Sequence, residues 1–221
     1  MAVAPTTLGS LNAFPSRDET THIGTCFPDK SVQLSKILRA SNSDELIKDL
    51  AILTSNRCVV WFRDQDITIE EQRELGRCMG ELSGKPKTST LHKHPVSENA
   101  PELGGDISVI SSLSGISRVG VRTDTRASNG WHADITFEPV PSDYAILKMH
   151  TLPPVGGDTL WASGYEAYDR LSPAFQKFLE GLTAVHDGNF FVDYAKAQGL
   201  EIQDNRGSPE NTGTTNLTAV Q

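Results

Sequence analysis

The sequence has few of the features that mark secreted, membrane-spanning or organelle-targeted proteins. It contains three cysteines in 221 residues, namely Cys26, Cys58 and Cys78, and no CxxC pair. An odd number of widely spaced cysteines favours a reduced compartment over a disulfide framework. No apolar run approaches the roughly 20 residues that cross a bilayer, and the N-terminus lacks the pattern of a targeting peptide. We therefore expect a cytoplasmic protein without a membrane partner.

Positive charge is also scarce. Lys and Arg number 20 against 28 Asp and Glu, which gives a formal net charge of −8, and the basic residues are scattered along the chain. A phosphate backbone is a poor partner for such a surface, so nucleic-acid binding is not expected. The chain is long enough for one domain with a substantial core. Its composition does not indicate an oligomeric state.

Several well-known catalytic motifs are missing. The run "WASGY" lacks the first glycine of a serine-hydrolase elbow. In "SGKPKTS" the Gly-Lys pair has no glycine-rich loop before it, as phosphate binding requires. Neither HExxH nor paired CxxC spacing, which would indicate zinc, occurs. These absences argue against a serine hydrolase, a P-loop protein and the common zinc sites.

Local patterns predict three helices and a strand. In "NSDELIKDLAILTS", Asn42 or Ser43 would cap a helix whose apolar residues recur on one face. "RCVVWF" is short and β-branched, which predicts a buried strand. Thr68 followed by Glu71 has the spacing of a capping box and predicts a second helix. Ser172 followed by proline marks the start of a third helix, "SPAFQKFLEGL".

The rest of the chain is expected to form a tail, a long loop and a set of strands. Residues 1–22 are rich in Thr, Ser, Pro and Ala without a period and predict a flexible tail, with one domain over residues 23–221. The Pro-, Gly- and His-rich stretch around residues 85–105 predicts a loop of the kind that binds ligands or acts as a lid. Short runs between Pro and Gly turns favour an antiparallel sandwich or barrel. The predicted strands are "ISVISS", "WHADITF", "YAILKMH" and "DTLWAS".

The run "WHADITF" carries an imidazole and a carboxylate two positions apart. Side chains on a strand alternate between faces, so His132 and Asp134 would point the same way and could serve as two ligands of one metal. A second histidine from elsewhere would complete the two-His-one-carboxylate arrangement that holds Fe(II) and leaves positions open. The spacing alone is weak evidence, because both residues could equally have structural roles.

The wider context of this pair resembles a known family. The segment from "NGWHADITF" through "GGDTLWAS" to "AVHDG" is similar to the core of the taurine dioxygenase-like (TauD/TfdA) family of Fe(II)- and 2-oxoglutarate-dependent dioxygenases, close to its sulfonate dioxygenase branch. The similarity extends from about His22 through "VVWFRDQDIT" to "NRGSPEN". It implies an α+β fold in which a double-stranded β-helix (a jelly-roll, cupin-like) has flanking helices.

The resemblance also implies roles for individual residues. His132 and Asp134 match the first histidine and the carboxylate of the iron site, and Thr159 matches a threonine that assists binding of 2-oxoglutarate. His94 matches a histidine that faces the primary substrate. Taurine-type members have a tyrosine where this chain has Ser97, which argues against taurine itself. The implied reaction uses O2 to hydroxylate a small organic acid; for an alkyl sulfonate the products would be sulfite and an aldehyde.

The resemblance further implies a second iron-binding histidine and an arginine that pairs with 2-oxoglutarate, both downstream of the matched region. Neither has a counterpart in these 221 residues, so we expect the C-terminal part of the fold to be missing. Two alternatives to an active dioxygenase therefore stay open. One is a catalytically inactive, truncated remnant of such an oxygenase, and the other is a different cupin-like metal enzyme.

Overall fold

A computed structural model of the chain describes residues 7–96, 103–111 and 130–221. The chain forms two compact units. Unit 1 comprises Met1–Pro86 and Tyr144–Leu182, and unit 2 comprises Lys87–Asp143 and Thr183–Gln221. No helix among the described residues is long and apolar enough to cross a membrane. Ser97, the last residue of "ISVISS" and part of the predicted loop lie outside the described residues.

Unit 1 combines a small sheet with helices. Strand β1 pairs antiparallel with β2, and β2 pairs parallel with β3. Two parallel neighbours need a crossover connection, which helices α1 and α2 provide here. The elements in chain order are a 3-10 helix (Gly9–Ala13), β1 (Arg17–Asp18), β2 (Thr25–Phe27), α1 (Leu34–Leu38), α2 (Ser43–Arg57), β3 (Val60–Phe62), α3 (Ile69–Leu82), α4 (Gly164–Asp169) and α5 (Pro173–Leu179).

Helix α2 supplies much of the core of unit 1. It follows Asn42, which occupies the N-cap position without a side-chain cap bond. Its predicted apolar face is confirmed, and each fully buried leucine contributes about 2 kcal/mol of hydrophobic free energy. The buried residues of that face are Leu46, Ile47, Leu50 and Leu53.

The other helix predictions are confirmed by their caps. The Glu71 backbone N–H donates to Thr68 Oγ1 at 3.2 Å, and the Thr68 N–H donates to Glu71 Oε2 at 2.9 Å, which completes the predicted capping box of α3. The Ser172 hydroxyl caps α5, whose first residue is Pro173. "RCVVWF" contains β3, although the strand is half-buried rather than fully buried. Each signal lies within a few residues of the element it specifies.

The prediction of a flexible tail over residues 1–22 is wrong for the part that the structure describes in detail. Leu11, in the 3-10 helix, is fully buried in the core of unit 1. The Ser10 backbone N–H and hydroxyl both donate to the Asp49 carboxylate at 2.7 Å. The burial of Leu11 and the two hydrogen bonds from Ser10 to α2 therefore hold a segment that lacks any apolar period.

Three of the predicted strands, "WHADITF", "YAILKMH" and "DTLWAS", are not strands in the structure, and neither is the described part of "ISVISS". A strand needs a neighbour that pairs with its backbone N–H and C=O groups, and local composition does not supply one. Several apolar side chains of these runs are exposed. They include Leu147, Met149, Leu160 and Trp161.

Unit 2 contains strand β4 (Val185–Asp187), helix α6 (Asn189–Gln198) and strand β5 (Thr218–Val220), with β4 antiparallel to β5. Long connections without regular structure make up most of its other described residues. The loop that carries His132 and Asp134 belongs to this unit. The helices and the two small sheets agree with an α+β protein, whereas a double-stranded β-helix is not formed among the described residues.

Candidate metal centre

The loop of residues 130–140 brings the predicted iron ligands together without a strand. His132 Nε2 lies 3.1 Å from Asp134 Oδ1, and both side chains are 73% exposed. A turn begins at Asp134, and the Glu138 N–H donates to the Ile135 carbonyl oxygen at 3.0 Å. The two side chains therefore converge in an irregular loop that leads into a turn, and not through the alternation of a strand.

The hydrogen bond at the other ring nitrogen leaves Nε2 available for a metal. His132 Nδ1 lies 2.7 Å from the Gly130 carbonyl oxygen. A carbonyl oxygen only accepts, so Nδ1 carries the proton in that bond. In metal sites a histidine usually donates its second N–H in this way, which fixes the orientation of the ring. Nε2 is therefore the ring nitrogen that is left to bind a metal beside Asp134.

The separation of the two donors fits one metal ion. Imidazole nitrogen and carboxylate oxygen typically bind divalent metals at about 2.0 to 2.2 Å, so two such donors at a right angle lie about 3.0 Å apart. The observed 3.1 Å matches that spacing. Among residues 7–96, 103–111 and 130–221 there is no cluster of three or more His, Cys, Asp or Glu that could hold a metal. The described part of the chain thus supplies a pair of ligands.

The backbone beside this pair is strained. Ile135 has a φ of 49°, which is rare for a β-branched residue because its side chain crowds the backbone there. Such conformations persist only when the surrounding structure imposes them, and they are frequent at functional sites. Contacts outside the turn must therefore help to hold Ile135.

A buried ion pair lies directly after the turn. Arg206 Nε and Nη2 donate to Glu138 Oε1 and Oε2 at 2.6 and 3.0 Å, and the two side chains are 1% and 0% exposed. His92 Nε2 lies 3.1 Å from Glu138 Oε1. Burial raises the pKa of Glu138, but the hydrogen bonds from His92 and Arg206 and the charge of Arg206 outweigh it and hold the pKa below its ordinary value. Glu138 is thus a carboxylate at neutral pH.

Asn211 holds the next part of the loop. Its Oδ1 accepts from the Val140 N–H at 2.9 Å, and its Nδ2 donates to the Val140 carbonyl oxygen at 2.7 Å. The side-chain amide thereby pairs with both polar groups of one backbone residue. Arg206 and Asn211 come from the same turn-rich segment, "NRGSPEN". This segment therefore binds the loop at two residues, Glu138 and Val140.

His94, the predicted substrate-facing residue, lies in the same unit as the loop. Its ring packs edge-on against Phe191 of α6, with centroids 4.9 Å apart, and Phe191 in turn contacts Phe137 at 5.3 Å. Gly188 allows Phe137 to approach, because a Cβ atom there would lie 2.5 Å from the ring. A chain of aromatic contacts therefore links His94 to the loop of His132 and Asp134.

Thr159, the predicted 2-oxoglutarate contact, is exposed and belongs to unit 1. Its role stays a prediction. Sequence reasoning missed Glu138, which lies within the loop, and the three residues that bind the loop. These are His92, Arg206 and Asn211. The partners Arg206 and Glu138 are 68 positions apart. No local period links residues at that distance, and the segment around Arg206 is polar enough to be taken for an exposed turn.

Comparison with known proteins decides the family. The model of the "Taurine catabolism dioxygenase TauD, TfdA family" matches residues 19–217. The chain belongs to this TauD/TfdA family. Its members use Fe(II) and 2-oxoglutarate as cosubstrate. The predicted resemblance is thereby confirmed, and so is the likeness to 2-oxoglutarate-dependent dioxygenases. The names of the relatives use alpha-ketoglutarate, which is the same compound as 2-oxoglutarate.

Curated relatives in fungi are similar over most of this TauD/TfdA chain. It is 41% identical to the alpha-ketoglutarate-dependent dioxygenase oryG of Aspergillus oryzae, over 92% of the chain and 60% of the relative. It is 42% identical to the alpha-ketoglutarate-dependent dioxygenase btcD of Neocamarosporium betae, over 93% and 63%. A putative alpha-ketoglutarate-dependent sulfonate dioxygenase of Schizosaccharomyces pombe is 35% identical, over 78% and 40%. The chain spans less than two thirds of each relative.

Proposed function

We propose that the protein is an Fe(II)- and 2-oxoglutarate-dependent dioxygenase in which His132 and Asp134 are two of the iron ligands. The observation that carries the proposal is the convergence of His132 Nε2 and Asp134 Oδ1 at 3.1 Å, within a chain that belongs to the TauD/TfdA family. Imidazole and carboxylate are the donors of two-His-one-carboxylate iron sites. Their exposure leaves space for cosubstrate and oxygen on the same face.

With iron bound, the site would use O2 to convert 2-oxoglutarate to succinate and CO2 and to hydroxylate a substrate C–H bond, with one oxygen atom entering succinate and the other entering the substrate. The residues of this chain have simpler tasks. His132 Nε2 and Asp134 Oδ1 hold the metal, and the bond from His132 Nδ1 to Gly130 orients the ring. We propose that Thr159 assists binding of 2-oxoglutarate and that His94 faces the substrate, as the family resemblance implies.

We further propose that the whole protein supplies a second histidine ligand and an arginine for 2-oxoglutarate. The chain covers 60% and 63% of two relatives, which leaves length in them for such residues. The Gln221 side-chain amide donates to the Glu138 carbonyl oxygen at 3.1 Å. Residue 221 therefore lies beside the loop of residues 130–140, which we call the metal loop.

The double-stranded β-helix is part of the same proposal. The exposed apolar side chains of "YAILKMH" and "DTLWAS" suit strands whose partners lie elsewhere in a longer protein. For the substrate we propose a small organic acid, with alkyl sulfonates as the class to test. The name of the Schizosaccharomyces pombe relative supports that choice.

A second candidate function is a non-catalytic remnant. It is favoured by the lack of a three-ligand cluster among the described residues. Two ligands hold a metal more weakly than three. The remnant would keep weak metal binding and lose turnover, so binding and turnover have to be measured separately.

The test is an anaerobic titration of the 221-residue chain with Fe(II) and 2-oxoglutarate, followed by the visible charge-transfer band of the chelate and by succinate formation. We expect a weak band that disappears in His132→Ala. His150→Ala is the matched control, because His150 is an exposed histidine of unit 1, and it should keep the band. A band that survives His132→Ala, or no band in the wild type, would contradict the metal pair. Succinate formation would refute the remnant, whereas a band without succinate would support it.

A further inference from the structure

We infer that Arg206 and Asn211 are positioning residues that hold the metal loop in its binding conformation. The inference rests on the proposed function for the roles of His132 and Asp134. It assigns a task to the segment "NRGSPEN", which otherwise has no part in the site. The two side chains act on Glu138 and Val140, a few residues after Asp134, and touch neither ligand.

The loop needs such support because its functional side chains cannot be held by packing. His132 and Asp134 are both 73% exposed, so packing does not hold them and their positions depend on the loop backbone. The loop continues through Ile135 at a φ of 49°. Without outside contacts a β-branched residue would relax to a negative φ, which would redirect the chain between Asp134 and Glu138 and release the turn that follows the two ligands.

Arg206 is placed to lock the end of the turn. A guanidinium group has five N–H donors in a fixed plane. Besides its two bonds to Glu138, Arg206 donates to the carbonyl oxygens of Gln203 at 2.8 Å, Gly213 at 2.7 Å and Thr212 at 3.4 Å. All five donors therefore have acceptors, and they join Glu138 to a second stretch of backbone. A lysine has three donors on a single nitrogen and cannot reproduce this planar arrangement.

Asn211 makes the second attachment with a different chemistry. Its amide forms two bonds to Val140, one in each direction, as a strand neighbour would. Arg206 thus attaches the loop by charge and Asn211 attaches it through neutral hydrogen bonds. Because the two attachments differ in kind, they can be removed separately in an experiment.

Unit 2 offers a matched control for Asn211. Asn189 also makes side-chain bonds within this unit: its Oδ1 accepts from the Leu217 N–H at 3.1 Å and its Nδ2 lies 3.3 Å from Thr218 Oγ1. These partners belong to the segment at β5 and not to residues 130–140. Asn189→Ala therefore costs comparable side-chain bonds without touching the metal loop.

The test compares wild type with Asn211→Ala, Asn189→Ala and Arg206→Lys by two measurements on the full chain. Amide exchange by NMR reports on the Glu138 N–H, which closes the turn onto Ile135 and which Asn211 does not contact. Binding of Mn(II), measured from the EPR signal of the free ion, reports on the ligand pair. We expect faster exchange at Glu138 and about tenfold weaker Mn(II) binding in Asn211→Ala, as for other residues that orient metal ligands, and at least as large an effect in Arg206→Lys. Asn189→Ala should change neither.

Equal Glu138 exchange in Asn211→Ala and Asn189→Ala would overturn the inference. So would faster exchange in Asn211→Ala with unchanged Mn(II) affinity, because the loop would then be loosened without any effect on the ligands. If Arg206→Lys does not fold, the Asn211→Ala result decides alone. A wild type that binds no Mn(II) would count against the proposed function, while the exchange measurement would still show whether Asn211 holds the turn.

Discussion

Unit 1 and unit 2 are stabilised by different interactions. In unit 1, helices α2 and α3 bury apolar side chains around Leu50, Leu53 and Leu75. In unit 2, the most deeply buried side chains include a glutamate and an arginine that bind one another, Glu138 and Arg206. The apolar contacts are individually weak and numerous. The ion pair is a single strong contact, so the loss of one partner leaves the other buried and uncompensated.

The candidate site lies in unit 2, beside the directional contacts and not in the apolar core of unit 1. An apolar core tolerates small shifts of a backbone, because its contacts have no preferred direction. A planar guanidinium whose five N–H groups all donate hydrogen bonds tolerates few such shifts, because each hydrogen bond weakens when its angle changes. The loop of residues 130–140, whose proposed ligands would have to stay about 3 Å apart around one metal ion, is attached to the directional contacts. The apolar core of unit 1 therefore stabilises without fixing directions, whereas the buried pair of unit 2 stabilises and also fixes the direction of the backbone beside it.

The largest effect is expected from breaking the ion pair on one side only. Arg206→Met leaves the Glu138 carboxylate buried without its cation, which should lower the free energy of opening of unit 2 by about 3 to 5 kcal/mol. The measurement is native-state amide exchange of helix α6. The double variant Arg206→Met with Glu138→Leu removes both charges and should be more stable than Arg206→Met alone. Equal stability of the two variants would contradict a charge-based clamp.

A large but chemically different effect is expected in unit 1. Leu53 is fully buried in α2, so Leu53→Ala should lower the opening free energy of the α2 amides by about 3 kcal/mol through the cavity it leaves. Ile52→Ala is the control on the preceding residue, because Ile52 is exposed and should change the value by roughly 0.5 kcal/mol or less. Similar losses in both variants would mean that α2 is not held by the predicted apolar face.

The smallest expected effect is a dependence of the stability of unit 2 on pH. The pKa of Glu138 is lower in the folded protein than in the unfolded chain, so its contribution is present above the unfolded pKa, about 4.3, and is lost as the pH falls through the folded pKa. His92 and Arg206 are the charged or titratable side chains that bind it. Exchange of unit 2 amides should accelerate in acid more in wild type than in Glu138→Gln. Identical acid profiles would show that Glu138 does not titrate with unit 2.

Helices α2, α3 and α5 could be predicted from sequence because their signals are local, whereas α1, α4 and α6 were not predicted. Thr68 and Glu71 are three positions apart, and so are Leu50 and Leu53 on the apolar face of α2. The strands could not, since "YAILKMH" and "DTLWAS" have strand composition but no partner among the described residues. The N-terminal segment was misjudged for a related reason, because the burial of Leu11 depends on contacts with α2 and not on its own neighbours.

The candidate site divides in the same way. His132 and Asp134 could be predicted as ligands because their spacing and the family resemblance are both visible in the chain, and their role stays a prediction. The expected mechanism of their convergence was wrong, since a turn with a strained Ile135 replaces the strand. Glu138 and Arg206 were not found, because opposite charges 68 positions apart have no sequence pattern. The proposed ligands are thus visible in the sequence, whereas the residues proposed to hold them become visible only in the fold.

The most direct test of the proposed metal site is an anomalous difference map from a crystal grown with Mn(II). We expect a peak within about 2.2 Å of both His132 Nε2 and Asp134 Oδ1, with Glu138 still bound to Arg206. A peak elsewhere, or none near these two atoms at saturating Mn(II), would contradict the proposal that the loop of residues 130–140 is a metal site.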